Sequence, residues 1–172
     1  VRLPRKNFSD YVHHYGYVYR TPEQLQEHAR RNIPLLLEQR RQYPGDPRWY
    51  AQLAQEYFVL KEYDNVIEDC EKGLREWETL EDKGAYSPVF LGAAYAFILI
   101  SLDSMNRFEE EKKWLQKAFK DPITTLNYME PTVAYYCMAG ARLYAQTGEY
   151  ATCRDYLDRY IDAAQRLKAN KA

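Results

Sequence analysis

Three times along this chain a stripe of apolar residues at helical spacing runs into a three-residue turn that ends in an aromatic, and a second stripe leaves it. The turns are Lys61-Glu62-Tyr63, Asn106-Arg107-Phe108 and Gly148-Glu149-Tyr150. Tyr50, Leu53, Ala54 and Tyr57 precede the first turn, and Val66, Ile67, Cys70 and Leu74 follow it. Spacings of three and four residues put such side chains on one face of a helix. A join this short forces the two helices to lie antiparallel, stripe against stripe. The second unit starts at Ser87-Pro88, runs through Tyr95, Ile98 and Leu102, and returns along Trp114, Leu115 and Ala118 to Asp121-Pro122. The third starts at Glu130-Pro131, carries Cys137, Ala141 and Tyr144, and returns along Cys153, Leu157 and Ile161. The pattern predicts an all-α protein with helical hairpins at about 46–77, 86–120 and 130–168, ending in a polar, fraying tail.

Upstream, Thr21-Pro22-Glu23-Gln24 opens a leading helix over 21–43. Thr21 can cap it, Pro22 suits the first helical position, and Gln24 stands where a capping box needs it. Leu25, Ala29, Ile33, Leu36 and Leu37 follow at helical spacing, and the helix is expected to end by Tyr43, before Pro44-Gly45. Pro34 should kink it, or Asn32 should cap a restart there. Asp46-Pro47 signals the next start. Residues 1–20 differ: Tyr11-Val12-His13-His14-Tyr15-Gly16-Tyr17-Val18-Tyr19 is rich in β-formers, which predicts an extended segment without a partner strand.

The bulk numbers exclude whole classes of function. With 24 basic and 25 acidic residues the net charge is -1, so nothing electrostatic favours nucleic acid or an anionic membrane surface. The longest apolar candidate, Val89 to Leu102, falls short of a membrane span. Three widely separated cysteines, Cys70, Cys137 and Cys153, sit at apolar helical positions and are expected to be buried thiols rather than a disulfide framework. The opening VRLPRK leads into no apolar stretch, so no signal peptide is predicted and the expected compartment is the cytoplasm. A start at Val1 instead of Met suggests a fragment or a processed product. The 17 tyrosines fit a thin array with many half-buried positions, because the ring packs while the hydroxyl stays hydrated or bonded.

Tyr50-x-x-Leu53-Ala54-x-x-Tyr57, and Cys137-x-x-Gly140-Ala141-x-x-Tyr144 with Cys153-x-x-x-Leu157 behind it, resemble the tetratricopeptide (TPR) signature. The middle unit matches least, with Arg107-Phe108 and Leu115 to Ala118 in place. Tyr63 to Phe108 is 45 residues and Phe108 to Tyr150 is 42, against about 34 in a strict TPR. The resemblance therefore implies a stretched TPR-like array, stacked as a right-handed solenoid; a generic helical bundle with fortuitous tyrosine spacing is the competing architecture. A narrower resemblance covers about residues 11–60. His14-Tyr15-Gly16-Tyr17, then Ala29-Arg30-Arg31-Asn32-x-x-Leu35-Leu36, then Tyr43-Pro44-Gly45-Asp46-Pro47 looks like the junction where the GT-A catalytic domain of bacterial family 2 glycosyltransferases meets a C-terminal TPR extension. The lysine of that family's pattern is not evident here. If the likeness holds, residues 1–20 are the remnant of an upstream catalytic domain.

No catalytic centre is recognisable. The Asp-x-Asp pair that grips a metal and a sugar-nucleotide diphosphate in such enzymes is absent from the sequence, as are the nucleophile elbow and the glycine-rich phosphate loops. His13 and His14 would face opposite sides of a strand, and His28 has no second ligand at helical spacing. No cofactor and no metal site are expected. The run Glu109-Glu110-Glu111-Lys112-Lys113 reads as a solvated helix face.

What remains is a binding surface. The first helix of each TPR pair lines the concave side, which points to Arg48, Gln55 and Phe58 in the first unit and Tyr135, Met138 and Arg142 in the last, with Tyr95 and Phe97 from the middle. Arginine with aromatics suits peptide hot spots, although the same residues could be ordinary surface or inter-repeat positions. The expected function is protein interaction or scaffolding, in the C-terminal part of a glycosyltransferase. The partner would be a protein or peptide: the parent catalytic domain, a protein acceptor, or a second copy in a homodimer. A free-standing TPR adaptor is the alternative, and an enzyme with an unrecognised site comes third.

Overall fold

The computed structural model describes residues 21–81, 89–122 and 130–169. Among these residues there are seven helices and no strand: α1 Pro22–Gln42, α2 Arg48–Val59, α3 Tyr63–Thr79, α4 Val89–Ser104, α5 Phe108–Lys120, α6 Glu130–Gln146 and α7 Tyr150–Ala169. The extended segment expected over 1–20, the Ser87-Pro88 start and the end of the C-terminal tail lie outside the described residues.

Thr21 closes a capping box on α1: its Oγ1 accepts the Gln24 N–H while its own N–H donates to Gln24 Oε1. The helix then runs on through Pro34, neither stopping nor restarting there. Asn32 is not a cap; its side-chain amide donates to Glu56 Oε1 at 2.8 Å and lies 2.9 Å from His28 Nδ1, which ties α1 to α2. Arg40 reaches further, pairing with Asp69 of α3 at 2.9 Å and lying over the Tyr50 ring.

Helices α2–α3, α4–α5 and α6–α7 form hairpins at 48–79, 89–120 and 130–169. Each hairpin turns in the same way. Lys61, Asn106 and Gly148 have φ of 61°, 57° and 78°. The N–H of each donates three residues back, to Phe58, Asp103 and Ala145, and the N–H of the next residue donates five back, to Tyr57, Leu102 and Tyr144. This double bond with a left-handed residue is the Schellman ending, which satisfies the last carbonyls of the helix. Glycine and asparagine enter that region readily; for Lys61 it costs roughly 1–2 kcal/mol. Positions in the three hairpins can therefore be compared by counting from these three residues.

Successive hairpins pack through α3 on α4 and α5 on α6, and their leading helices also touch, α2 on α4 and α4 on α6. The core runs along this line. Leu53, Ala54, Val66 and Cys70 belong to its first part, Leu91, Ile98, Leu99, Leu102 and Leu115 to its middle, and Tyr136, Leu143 and Ala163 to its last. Tyr136 is the largest fully buried side chain. Its hydroxyl donates to the Gly92 carbonyl of α4 at 3.0 Å, and its ring meets Tyr95 and Phe119 edge-on. Cys70 and Cys137 are buried thiols and Cys153 is half-buried, all three free.

The last helix departs from the expectation that Leu157 and Ile161 line a buried stripe. They are 46% and 50% exposed, and Tyr150 is 73% exposed. Helix α7 packs chiefly on α6, with Arg159 laid over Phe119 of α5, and nothing among the described residues covers its other side. The α6–α7 contact is close at Gly140, where an added Cβ would stand 2.6 Å from Tyr156 Cδ1. Overpacking of this kind costs about 1–3 kcal/mol. Gly140→Ala should lower stability to urea by that amount, and most of the loss should vanish in a Tyr156→Ala background; additive effects in the double-mutant cycle would show that the contact is loose.

Candidate functional site

A groove of about 240 Å³ opens between the C-terminal half of α4 and the face of α6, with the first turn of α5 at its base. Leu99, Ile100 and Ala139 give it apolar walls, and Tyr135, Met138 and Arg142 stand along its α6 side. Met138 is 49% exposed, which is unusual for so apolar a side chain. The base holds two carboxylates, Asp103 and Glu111.

The turn at Asn106 brings these acids together. Asp103 lies three residues before Asn106, in the last turn of α4, and Glu111 lies five after it, in the first turn of α5. Both are buried, with 7% and 2% exposure. Asp103 Oδ2 accepts from the Arg142 guanidinium, whose side chain is otherwise largely in solvent. Asp103 Oδ1 and Glu111 Oε2 have no hydrogen-bond partner among the described residues. Burial, reinforced by the Asp103 charge and opposed by Arg142, pushes the Glu111 carboxyl up to about 8. Its place at a helix N-terminus favours the anion, so desolvation outweighs the dipole here. Tyr135 is held neutral, mainly by burial and then by the two acids facing it.

Counting from the turn residues shows how unusual this pair is. The positions of Asp103 and Glu111 are filled by Phe58 and Val66 in the first hairpin and by Ala145 and Cys153 in the last. Val66 is buried, Phe58 and Cys153 are half-buried and Ala145 is exposed, and among the three hairpins only the middle one carries acids at these positions. Treating 109–113 as one solvated run hid this. Glu109 and Glu110 are exposed and paired with Lys112 and Arg107, but Glu111 turns inward. The available signal was its alignment with Val66 and Cys153.

The other residues expected at a groove fall elsewhere. Tyr95 is a correction: it is 2% exposed, with its hydroxyl donating to Asp121 Oδ2 at 2.9 Å inside the core. Phe58 and Phe97 meet at 5.6 Å and are partly buried against the core, so they fill the contact between α2 and α4 rather than line an open surface. Arg48 folds back on Asp46, gripping both carboxylate oxygens at the start of α2. Gln55 lines a separate, more polar cleft between α1 and α2, with Asn32, Leu36 and Gln52. Tyr135, Met138 and Arg142 are the three that come together. Among the described residues no cluster of three or more His, Cys, Asp or Glu could hold a metal, and no helix is long and apolar enough to cross a membrane.

The class defined by this geometry is an all-α protein of packed helical hairpins. No family model matches the chain, and no curated protein matches it. Its fold is similar to the crystal structure of BtubC (BKLC) from P. vanneervenii, with a TM-score of 0.64 at 18% identity. The match covers 87% of this chain and 59% of that one, so the chain spans about three fifths of the solved protein. At such identity the likeness is one of fold alone.

The buried carboxyl has a measurable consequence. Below its unfolded-state value near 4.5, Glu111 is protonated in both states and adds no pH dependence. Between there and about 8 the unfolded chain ionises while the native one stays protonated, so stability falls as pH rises, by at most about 1.4 kcal/mol per pH unit. Urea unfolding at pH 5.5 and 7.5 should show Glu111→Gln gaining on the wild type as pH rises. Parallel stabilities at the two values would mean that Glu111 is solvated.

Proposed function

We propose that this chain is a protein-interaction module of TPR-like architecture, and that it binds an extended peptide in the groove between α4 and α6. The observation that carries this is an open, apolar-walled groove bordered by Tyr135, Met138 and Arg142 and floored by polar atoms. Apolar walls with a few convergent polar groups are how binding clefts combine affinity with orientation. Three hairpins with one turn geometry, contacts between successive leading helices and the motif resemblance support the stacked, solenoid-like arrangement. Such stacks expose a continuous inner surface and are used chiefly for binding.

The resemblance around His14-Tyr15-Gly16-Tyr17 and Ala29-Arg30-Arg31-Asn32 adds a setting to this proposal: the module would serve as the C-terminal extension of a family 2 glycosyltransferase, non-catalytic by itself. Reading the coding sequence upstream of Val1 tests that setting. An Asp-x-Asp on an α/β nucleotide-binding pattern supports it, and an initiation codon at the first position leaves a free-standing adaptor.

Panning a random peptide display library tests the groove. Met138→Lys, which would lay a lysine stem into the groove from an exposed position, serves as the blocked variant, and Tyr160→Lys on α7 as the off-site control. Selected peptides should bind the wild type and Tyr160→Lys saturably and lose roughly tenfold or more on Met138→Lys, about 1.4 kcal/mol. Equal binding to all three would remove the groove from the proposal.

A further inference from the structure

Resting on the peptide-groove reading, we infer that the groove between α4 and α6 is selective for a basic side chain, whose stem lies along Leu99, Ile100 and Met138 and whose head donates to Asp103 Oδ1 and Glu111 Oε2.

Asp103 joins α4 to α6 through Arg142, but its Oδ1 and Glu111 Oε2 serve no contact. At both equivalent places in the other hairpins the positions are apolar, with Phe58 and Val66 packed into the core. A buried carboxylate oxygen without a donor is unfavourable by more than a hydrogen bond is favourable. Here two such oxygens, on side chains more than nine-tenths buried, belong to residues that line one groove. Their common need is a donor that arrives from outside.

The charges decide what kind of donor. Asp103 (α4), Glu111 (α5), Tyr135 and Arg142 (α6) are the polar groups that line the groove. Arg142 occupies Asp103 Oδ2 and leaves Oδ1 open, so a second cation can join without displacing it. Once Glu111 ionises, two carboxylates against one guanidinium repel an anionic ligand. An apolar side chain would seal both free oxygens without a partner. A divalent ion would find two carboxylates and no third His, Cys, Asp or Glu beside them among the described residues. An arginine or lysine side chain matches both halves of the groove, since its methylene stem suits apolar walls and its head suits acids. A guanidinium, with donors in a fixed fork, can reach oxygens on two helices at once.

Binding of a cation is then linked to ionisation of Glu111. With its carboxyl near 8 in the free protein, only about a tenth is ionised at pH 7 and most is at pH 9. Tyr135, pushed up further by burial, stays protonated over this range. Affinity for a basic peptide should rise about tenfold from pH 7 to pH 9.

The tightest peptide from the groove selection and a copy with citrulline in place of each arginine, or norleucine in place of each lysine, are the probes. Fluorescence anisotropy at pH 7 and 9 should show the neutral copy binding at least about tenfold more weakly at pH 9, with a flat pH response. Glu111→Gln should weaken the parent peptide at pH 9 and flatten its response, while unfolding at no lower urea concentration than the wild type. Groove-dependent peptides that bind equally well in neutral form would overturn the basic-side-chain inference and leave the groove reading standing. Failure to select any peptide sensitive to Met138→Lys would overturn the groove reading, and this inference with it.

Discussion

Nine of the sixteen residues of α4 are buried, and they occupy more than half of the helix circumference. A helix with no polar face has to be covered on all sides. Four described helices cover most of α4, and the strip that holds Ile100 borders the groove. Helices α2 and α3 cover α4 from one side and α5 and α6 from the other. The aromatic contacts follow the same line, from Phe58 on Phe97, through Trp77 on Phe90, to Tyr95 and Phe119 around Tyr136. Tyr136 is the outer clamp. It fills the space between α4 and α6 and spends its one donor on the Gly92 carbonyl, so a polar tip is satisfied inside an otherwise apolar layer. Helices α1 and α7 carry no such obligation. They keep exposed apolar side chains, Leu35 on α1 and Leu157, Tyr160 and Ile161 on α7, that no described residue covers.

The burial of α4 also creates the groove's chemistry. Its stripe is continuous down to Leu102, and the Schellman turn at Asn106 then reverses the chain within a few residues. The residues three before and five after Asn106 are carried into the interior with the helices. In the outer hairpins the same two positions hold Phe58 with Val66, half-buried and buried, and Ala145 with Cys153, exposed and half-buried. In the middle one they are acids. Asp103 is further disfavoured by its place in the last turn of α4, where the helix dipole is negative. Arg142 from the next hairpin relieves one of its oxygens. Glu111 Oε2 accepts no such bond, and burial lifts the carboxyl to about 8 against the pull of Arg142.

Much of this fold can be read from the chain, for a physical reason. Turn chemistry and helical periodicity are local, so Lys61-Glu62-Tyr63, Asn106-Arg107-Phe108 and Gly148-Glu149-Tyr150 mark the hairpin tips without knowledge of tertiary contacts. The Thr21 capping box is local in the same sense. Local reading fails where the neighbour decides. Pro34 looks like a break, but removing one N–H near the middle of a 21-residue helix is tolerated when Asn32, Glu56 and Arg40 hold that helix to its neighbours. Tyr95 looks like a groove aromatic because it lies on a leading helix, yet it stands on the buried side of α4, and Ile100 is at the groove instead. Leu157 and Ile161 have helical spacing, but no described helix packs on their side of α7. Arg142 is found by counting; its partner Asp103 is not, because no periodic pattern announces a buried acid.

Glu111 shows most clearly why function is harder to read than fold. Within 109–113 the composition says solvent, and for Glu109 and Glu110 the exposed ion pairs agree, whereas Lys112 is mostly covered and bridges to Glu149 of the next hairpin. One residue in that run occupies a core position, and only the comparison of three hairpins exposes it. The middle unit resembles the repeat signature least, and Glu111, standing where Val66 and Cys153 stand in its neighbours, is one of its departures, beside Leu99 and Leu102 in the slots of Ala54 and Tyr57. Asp103 and Glu111 stand on either side of one turn, with Tyr135, Met138 and Arg142 beside them on the next leading helix. A local loss of stability that sits at the floor of an open groove is where a binding function should be sought first.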